Sequence, residues 1–285
     1  MSFIRNDTGE VRLAWRLILA ILLYVAVAVL LQLVPISLFT ASLVRSGMTQ
    51  GNALERARTL IFQDPVSSTA IGILSGLAGL LIVWFLVKVI ERSDFAWRTV
   101  GLDWKSSSLL AILLGGMLAL VLFFASIWIG HVRGLSASSL SASTMGLSIP
   151  ILIQKLVLYL GMGFGEEVVF RGYVQTKLVK RYRAVWGVLA AAVIFTLLHQ
   201  VSYRLSPVTA LSGVMLWTTM GALYLLSKSL YLVGTFHGVM NTLLNTLYFE
   251  IDDVSSMVVH ALALLLVIVV ALVQPRVSGG RSNPS

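Results

Sequence analysis

No cysteine occurs in the 285 residues. That absence excludes disulfides, thiolate metal ligands, cysteine nucleophiles and covalent haem attachment together. Charge is scarce as well: Asp, Glu, Lys and Arg supply 12% of the chain, where a soluble domain carries about 25%. Acids are the scarcest, 12 against 21 Lys and Arg, which leaves a net charge of +9. A chain that is 58% hydrophobic cannot cover a globule of this size with water-seeking side chains. An ordinary soluble enzyme is excluded, and so is a disordered chain. What the sequence has in abundance is long apolar runs, and these imply an all-α fold, a polytopic membrane bundle. The basic residues lie mostly between those runs. The bilayer, rather than nucleic acid, is therefore the partner that the charge implies.

A membrane-crossing helix needs about 20 mostly apolar residues. About eight such spans can be read: Leu17–Pro35, Thr69–Val87, Leu109–Gly130, an irregular run from Pro150, Ala184–His199, Pro207–Ser227, Leu230–Tyr248 and Val254–Val273. They form a single transmembrane domain over 1–285. The stretch Asn52–Gln63 is amphipathic and is expected on the membrane surface. Ser136–Thr144 is Ser-rich and reads as a linker, and 275–285, with Pro, Gly and Ser, reads as a disordered tail. No internal repeat is visible, which weighs against transporters built from duplicated halves. With the N-terminus inside, 14 basic residues fall in inner segments and five in outer ones. That bias predicts both termini in the cytoplasm, with the first run acting as a signal anchor. A bacterial plasma membrane is the expected location.

An ionisable side chain within a span costs several kcal/mol, so it points to function by default. Here the set is Glu166, Glu167, Arg171, His199 and His237, with Asn241 as a polar companion. On a helix Glu167 and Arg171 stand at i and i+4 and pair on one face. Glu166 is turned about 100° away, toward another partner. Span five runs back across the basic turn Lys180–Arg183, which brings His199 to the depth of Glu166. His237 and Asn241 share one face of span seven. Glu167 and Arg171 therefore read as structural support. His131 and His260 have no polar companion among the motif residues and read as packing residues or interhelical hydrogen bonders; Phe170 and Phe195 read as packing, and the tryptophans and tyrosines as interfacial anchors or packing.

Glu-Glu-x-x-x-Arg (166–171), Phe-x-x-x-His (195–199) and His-x-x-x-Asn (237–241) occur in an order that resembles the CPBP family. That family holds the type II CAAX prenyl endopeptidases and bacterial bacteriocin-processing and self-immunity proteins. The resemblance covers about residues 150–250, taken as the catalytic core. It implies an intramembrane peptidase acting on a membrane-associated or prenylated, CAAX-type, peptide or protein. By motif, Glu166 with His199 would activate a water, and His237 with Asn241 would donate to the oxyanion. Glu166, His199 and His237 could instead hold Zn²⁺ as a His₂Glu set. No His-Glu-x-x-His segment accompanies them, so direct activation of water is favoured over zinc chemistry, without closing the question. The rival readings are a proton-coupled transporter and a non-catalytic self-immunity scaffold. Substrate identity and oligomeric state are not read from the sequence.

Overall fold

Apolar runs of this length become helices because the bilayer offers backbone groups no hydrogen-bond partner except their own chain. The computed structural model describes residues 4, 11–134, 148–247 and 251–273, without the side chains of 201–203. The expected linker Ser136–Thr144, the expected tail 275–285 and the end of span seven at Tyr248 lie outside the described residues. Every element among the described residues is helical: α1 (Leu13–Arg45), α2 (Gln50–Gln63), α3 (Pro65–Phe85), α4 (Ser108–Val132), α5 (Ile149–Glu167), α6 (Thr176–Tyr203), α7 (Pro207–Ser227), α8 (Leu230–Thr246) and α9 (Asp253–Val273). Wider π-helical turns, Leu86–Ile90 and Val168–Gln175, continue α3 and α5.

The expected multi-pass membrane bundle is what forms. Among the described residues six stretches are long and apolar enough to cross a membrane, one of them Ile149–Gln200. That stretch holds two of the expected spans. Arg183 breaks it with φ 70 and ψ 168, and the chain folds back so that Phe195 meets Phe170 with ring centroids 4.6 Å apart. Helix α8 has only 17 residues, about 26 Å at 1.5 Å per residue, a little short of the hydrocarbon core. Helix α1 is longer than its apolar run at both ends, and Pro35 lies within it. The proline removes one backbone donor, which a membrane helix tolerates where neighbours or waters satisfy the freed carbonyl.

The two ends of the bundle are tied differently. At the end bearing the start of α1, the half-buried Glu91 takes Arg16 at 3.3 Å and the hydroxyl of Tyr173 at 2.7 Å, and Lys177 pairs with its other oxygen. Although burial opposes ionisation, these partners hold the Glu91 carboxyl below its usual range. At the opposite end Arg133 pairs with Asp252, Lys155 donates to the carbonyl of Phe62 at 2.6 Å, and Gln154 donates to Ser68 at 2.7 Å. Lys155 thus caps a helix end away from the motif residues, and α2 is fastened to α5 through it. Ala53, Ala57 and Ile61 form the buried face of α2, the amphipathic stripe that the sequence presents.

Helix α5 is the central element, packed between α3 and α8. Both crossings run over glycine. A Cβ on Gly72 would come 2.7 Å from the Cα of Leu158, and one on Gly238 would come 2.6 Å from the Cα of Leu160. Small residues let membrane helices approach this closely and gain dispersion contacts that lipid cannot match. The α5–α8 approach also sets which polar side chains can meet. Gly163 lies against Gly238, one turn before Glu167 on α5 and next to His237 on α8. Replacing Gly238 by Val should push the two helices apart and cost about 1–3 kcal/mol, the usual penalty of overpacking. Thermal melts in detergent should show this loss, whereas Gly51→Ala, at a position with nothing within 4 Å, should leave the melting temperature unchanged.

Candidate active site

The site begins with two adjacent carboxylates that α5 turns in different directions. Glu167 is completely buried and its Oε2 lies 3.2 Å from Nε of Arg171, as the i,i+4 spacing predicts. The guanidinium is itself buried and stacks over Phe195 at 5.0 Å and Trp217 at 5.4 Å. Aromatic faces and one carboxylate therefore hold a full positive charge in the interior. Glu167 has a second duty that helical spacing does not reveal. Its Oε1 accepts a hydrogen bond from Nδ1 of His237 at 2.9 Å. Because a carboxylate paired with Arg171 only accepts, the proton of that bond sits on Nδ1.

His237 is buried on α8 and turns its other nitrogen toward Glu166: Nε2 and Oε2 are 3.7 Å apart. That distance exceeds a direct hydrogen bond. The imidazole thus stands between the two carboxylates, held by one and facing the other. His199 arrives from α6, where Nδ1 lies 3.0 Å from the carbonyl of Phe195. A carbonyl cannot donate, so this contact also places the proton on Nδ1 and leaves Nε2 as the basic nitrogen of the neutral ring. Phe195 and Trp217 fill the space between the two imidazoles. Trp217 lies 4.9 Å from the His237 ring and 5.8 Å from the His199 ring.

Two cavities converge on these residues. The larger, about 610 Å³, is lined by Glu166, His199, His237 and Asn241, and extends to Leu205, Thr209 and Asp253 at the helix ends near Arg133. The smaller, about 250 Å³, is lined by α1 from Tyr24 to Gln32, by Ile71 and Ser75 of α3, and again by Glu166 and His199. One cavity is a funnel with a polar mouth. The other is a mostly aliphatic recess beside a helix of which only Ala20 is buried.

All four residues expected to do chemistry line one cavity. The arrangement within the set differs from the expectation in one respect. Glu166 faces His237 as well as sharing cavities with His199, so the two motif pairs form one cluster. His260 takes the second of its two expected roles, the interhelical hydrogen bonder: its Nδ1 lies 2.8 Å from the hydroxyl of Ser212, and both side chains line the funnel. Ser212 is 48 residues away on another helix, so no local spacing could signal the contact. Gln32 is a residue that a search for ionisable groups misses. It lines both cavities, and its signal is present as the single amide within Leu17–Pro35. Among the described residues no three His, Asp or Glu side chains converge in a way that would hold a metal ion. Nδ1 of His237 is committed to Glu167 and that of His199 to Phe195, bonding that metal-binding imidazoles also show, so it is the lack of convergence, not the ring nitrogens, that speaks against the His₂Glu zinc set.

Breaking the buried ion pair from one side strands a charge. Arg171→Met should therefore cost about 3–5 kcal/mol. Glu167→Gln combined with Arg171→Met should recover much of that loss in the same denaturation assay, because neither charge is then left alone.

Residues 148–243 match the family model described as type II CAAX prenyl endopeptidase Rce1-like. The match covers about a third of the chain and takes in all three motifs, bearing out the family expected from them. No curated protein matches the chain.

Proposed function

We propose that this multi-pass membrane protein, with its segment of a peptidase family, is an intramembrane endopeptidase in which Glu166 activates water directly. The observation that supports this most is the division of labour between neighbouring carboxylates. Glu167 is consumed by Arg171 and His237, whereas Glu166 opens onto both cavities and its Oε2 makes no hydrogen bond among the described residues. Amide hydrolysis needs a base, a water, and donors aimed at the oxygen that becomes negative. In this scheme a water between Glu166 and Nε2 of His199 loses a proton to Glu166. The resulting hydroxide adds to the scissile carbonyl carbon, and the carbonyl oxygen becomes the oxyanion. The amide of Asn241 donates to that oxygen, and Nε2 of His237 donates when the ring carries both protons. Glu166 then passes its proton to the departing amine, the C–N bond breaks, and a carboxylic acid and an amine leave.

The two cavities support a substrate class. The aliphatic recess suits a lipid-anchored or membrane-embedded portion, and the funnel suits a polar segment, so the substrate is a membrane-associated peptide. By the positive-inside rule, the end bearing Glu91 and Lys177 is cytoplasmic and the funnel mouth is external. A segment exposed at the outer face therefore fits this chain better than a prenylated cytoplasmic tail. Glu166→Gln should lower cleavage of a membrane-associated reporter peptide by about 10³-fold, within the range for loss of a general base, with no change in melting temperature. Full activity in that variant would overturn the scheme. Solute flux into liposomes with no peptide cleavage would indicate a carrier instead.

A further inference from the structure

Glutamine is an expensive residue inside a membrane span, because its carboxamide has two donors and an acceptor that lipid cannot satisfy. Helix α1 carries one at position 32, set in an aliphatic run from Leu17 to Val34 that is otherwise broken only by Tyr24. Gln32 is half-buried. Its side chain makes no hydrogen bond to any described residue, so among the described residues it does not glue α1 to a neighbouring helix. It lines the aliphatic recess and the polar funnel alike, together with Glu166 and His199, which line both as well. The amide therefore stands where the two cavities meet.

A carboxamide at such a junction matches one chemical group above others. Its C=O accepts from a peptide N–H while its NH₂ donates to a peptide C=O, the same pairing that an adjacent strand would offer. We propose that Gln32 is a substrate-binding residue: it hydrogen-bonds the backbone of an extended peptide beside the bond to be cut and holds it across Glu166 and His199. Helix α1 thereby contributes to the site, although it lies outside the segment 148–243 that matches the peptidase family. Two features suit α1 to this work. It is shallowly packed, with Ala20 its one buried residue, and it is pinned near its start by Arg16 to Glu91 and by Tyr24 against Phe170. Gln32 is therefore held at its base yet not locked among neighbours, as a group that must receive a chain from the side requires.

This inference rests on the endopeptidase reading, and its test separates the two. Binding of a fluorescent, membrane-associated peptide is measured to the Glu166→Gln protein in nanodiscs, with and without Gln32→Leu; cleavage is measured in the Glu166-containing protein. Gln32→Leu should weaken peptide binding about 10-fold and raise KM by a similar factor, with kcat changed less than about threefold and the melting temperature unchanged, the loss expected for one uniformly used binding contact. Gln32→Asn should restore part of the loss. A peptide with one backbone amide beside the scissile bond replaced by an ester should bind the Gln32 protein more weakly than the all-amide peptide does. In Gln32→Leu the two peptides should bind equally. Unchanged binding and KM in Gln32→Leu, or an ester effect of equal size in both proteins, would overturn the assignment. Tight, Gln32-dependent binding without any cleavage would overturn the endopeptidase reading and leave the contact standing. No binding by either protein would overturn both.

Discussion

The site depends on a single buried carboxylate that is shared. Glu167 neutralises Arg171 on one side and fixes the Nδ1 proton of His237 on the other. Neither interaction would suffice alone at this depth. An unpaired arginine among Phe195 and Trp217 would carry the full cost of desolvation, and an unheld imidazole would present either nitrogen to Glu166. With Glu167 in place, the charge is balanced and the ring is oriented in one arrangement. Glu166 is thereby relieved of structural work and can face the cavities.

That arrangement is available because three helices approach one another over small residues. Gly163 lies against Gly238, and Gly72 against Leu158, so α5 can sit between α3 and α8 with its carboxylates within reach of α8. The reversal at Arg183 brings Phe195 against Phe170 and places His199 on the cavities that Glu166 lines. Packing, charge balance and the direction of each imidazole are thus consequences of the same close crossings. At the periphery, the ties to Glu91 at one end and to Asp252 at the other hold the helix ends together, and the first of them also pins the start of α1 through Arg16.

Much of this is legible in the sequence. The helical bundle, the irregular fourth run and the reversal at the basic turn follow from length and hydropathy, and the Glu167–Arg171 pair follows from helical spacing. The cluster of polar residues is legible because charge is so rare here that each intramembrane instance stands out. What escapes is contact between distant helices. Glu167 with His237 spans 70 residues, and His260 with Ser212 spans 48; period and spacing carry no information about which helices become neighbours. The π-helical stretch Val168–Gln175 also leaves no mark in the hydrophobic pattern. Gln32 escapes for a different reason: attention to ionisable groups passes over an amide, although an amide in lipid is costly as well.

Everything in the site turns on Glu167 fixing the tautomer of His237. Nitrogen-15 chemical shifts of the histidine side chains in isotopically labelled protein test this directly, with His237 assigned by its loss in His237→Gln. The expected result is a protonated Nδ1 on His237 that gives way to exchange between both nitrogens in Glu167→Gln. A bare Nδ1 with the proton held on Nε2, or a spectrum unaffected by Glu167→Gln, would contradict it.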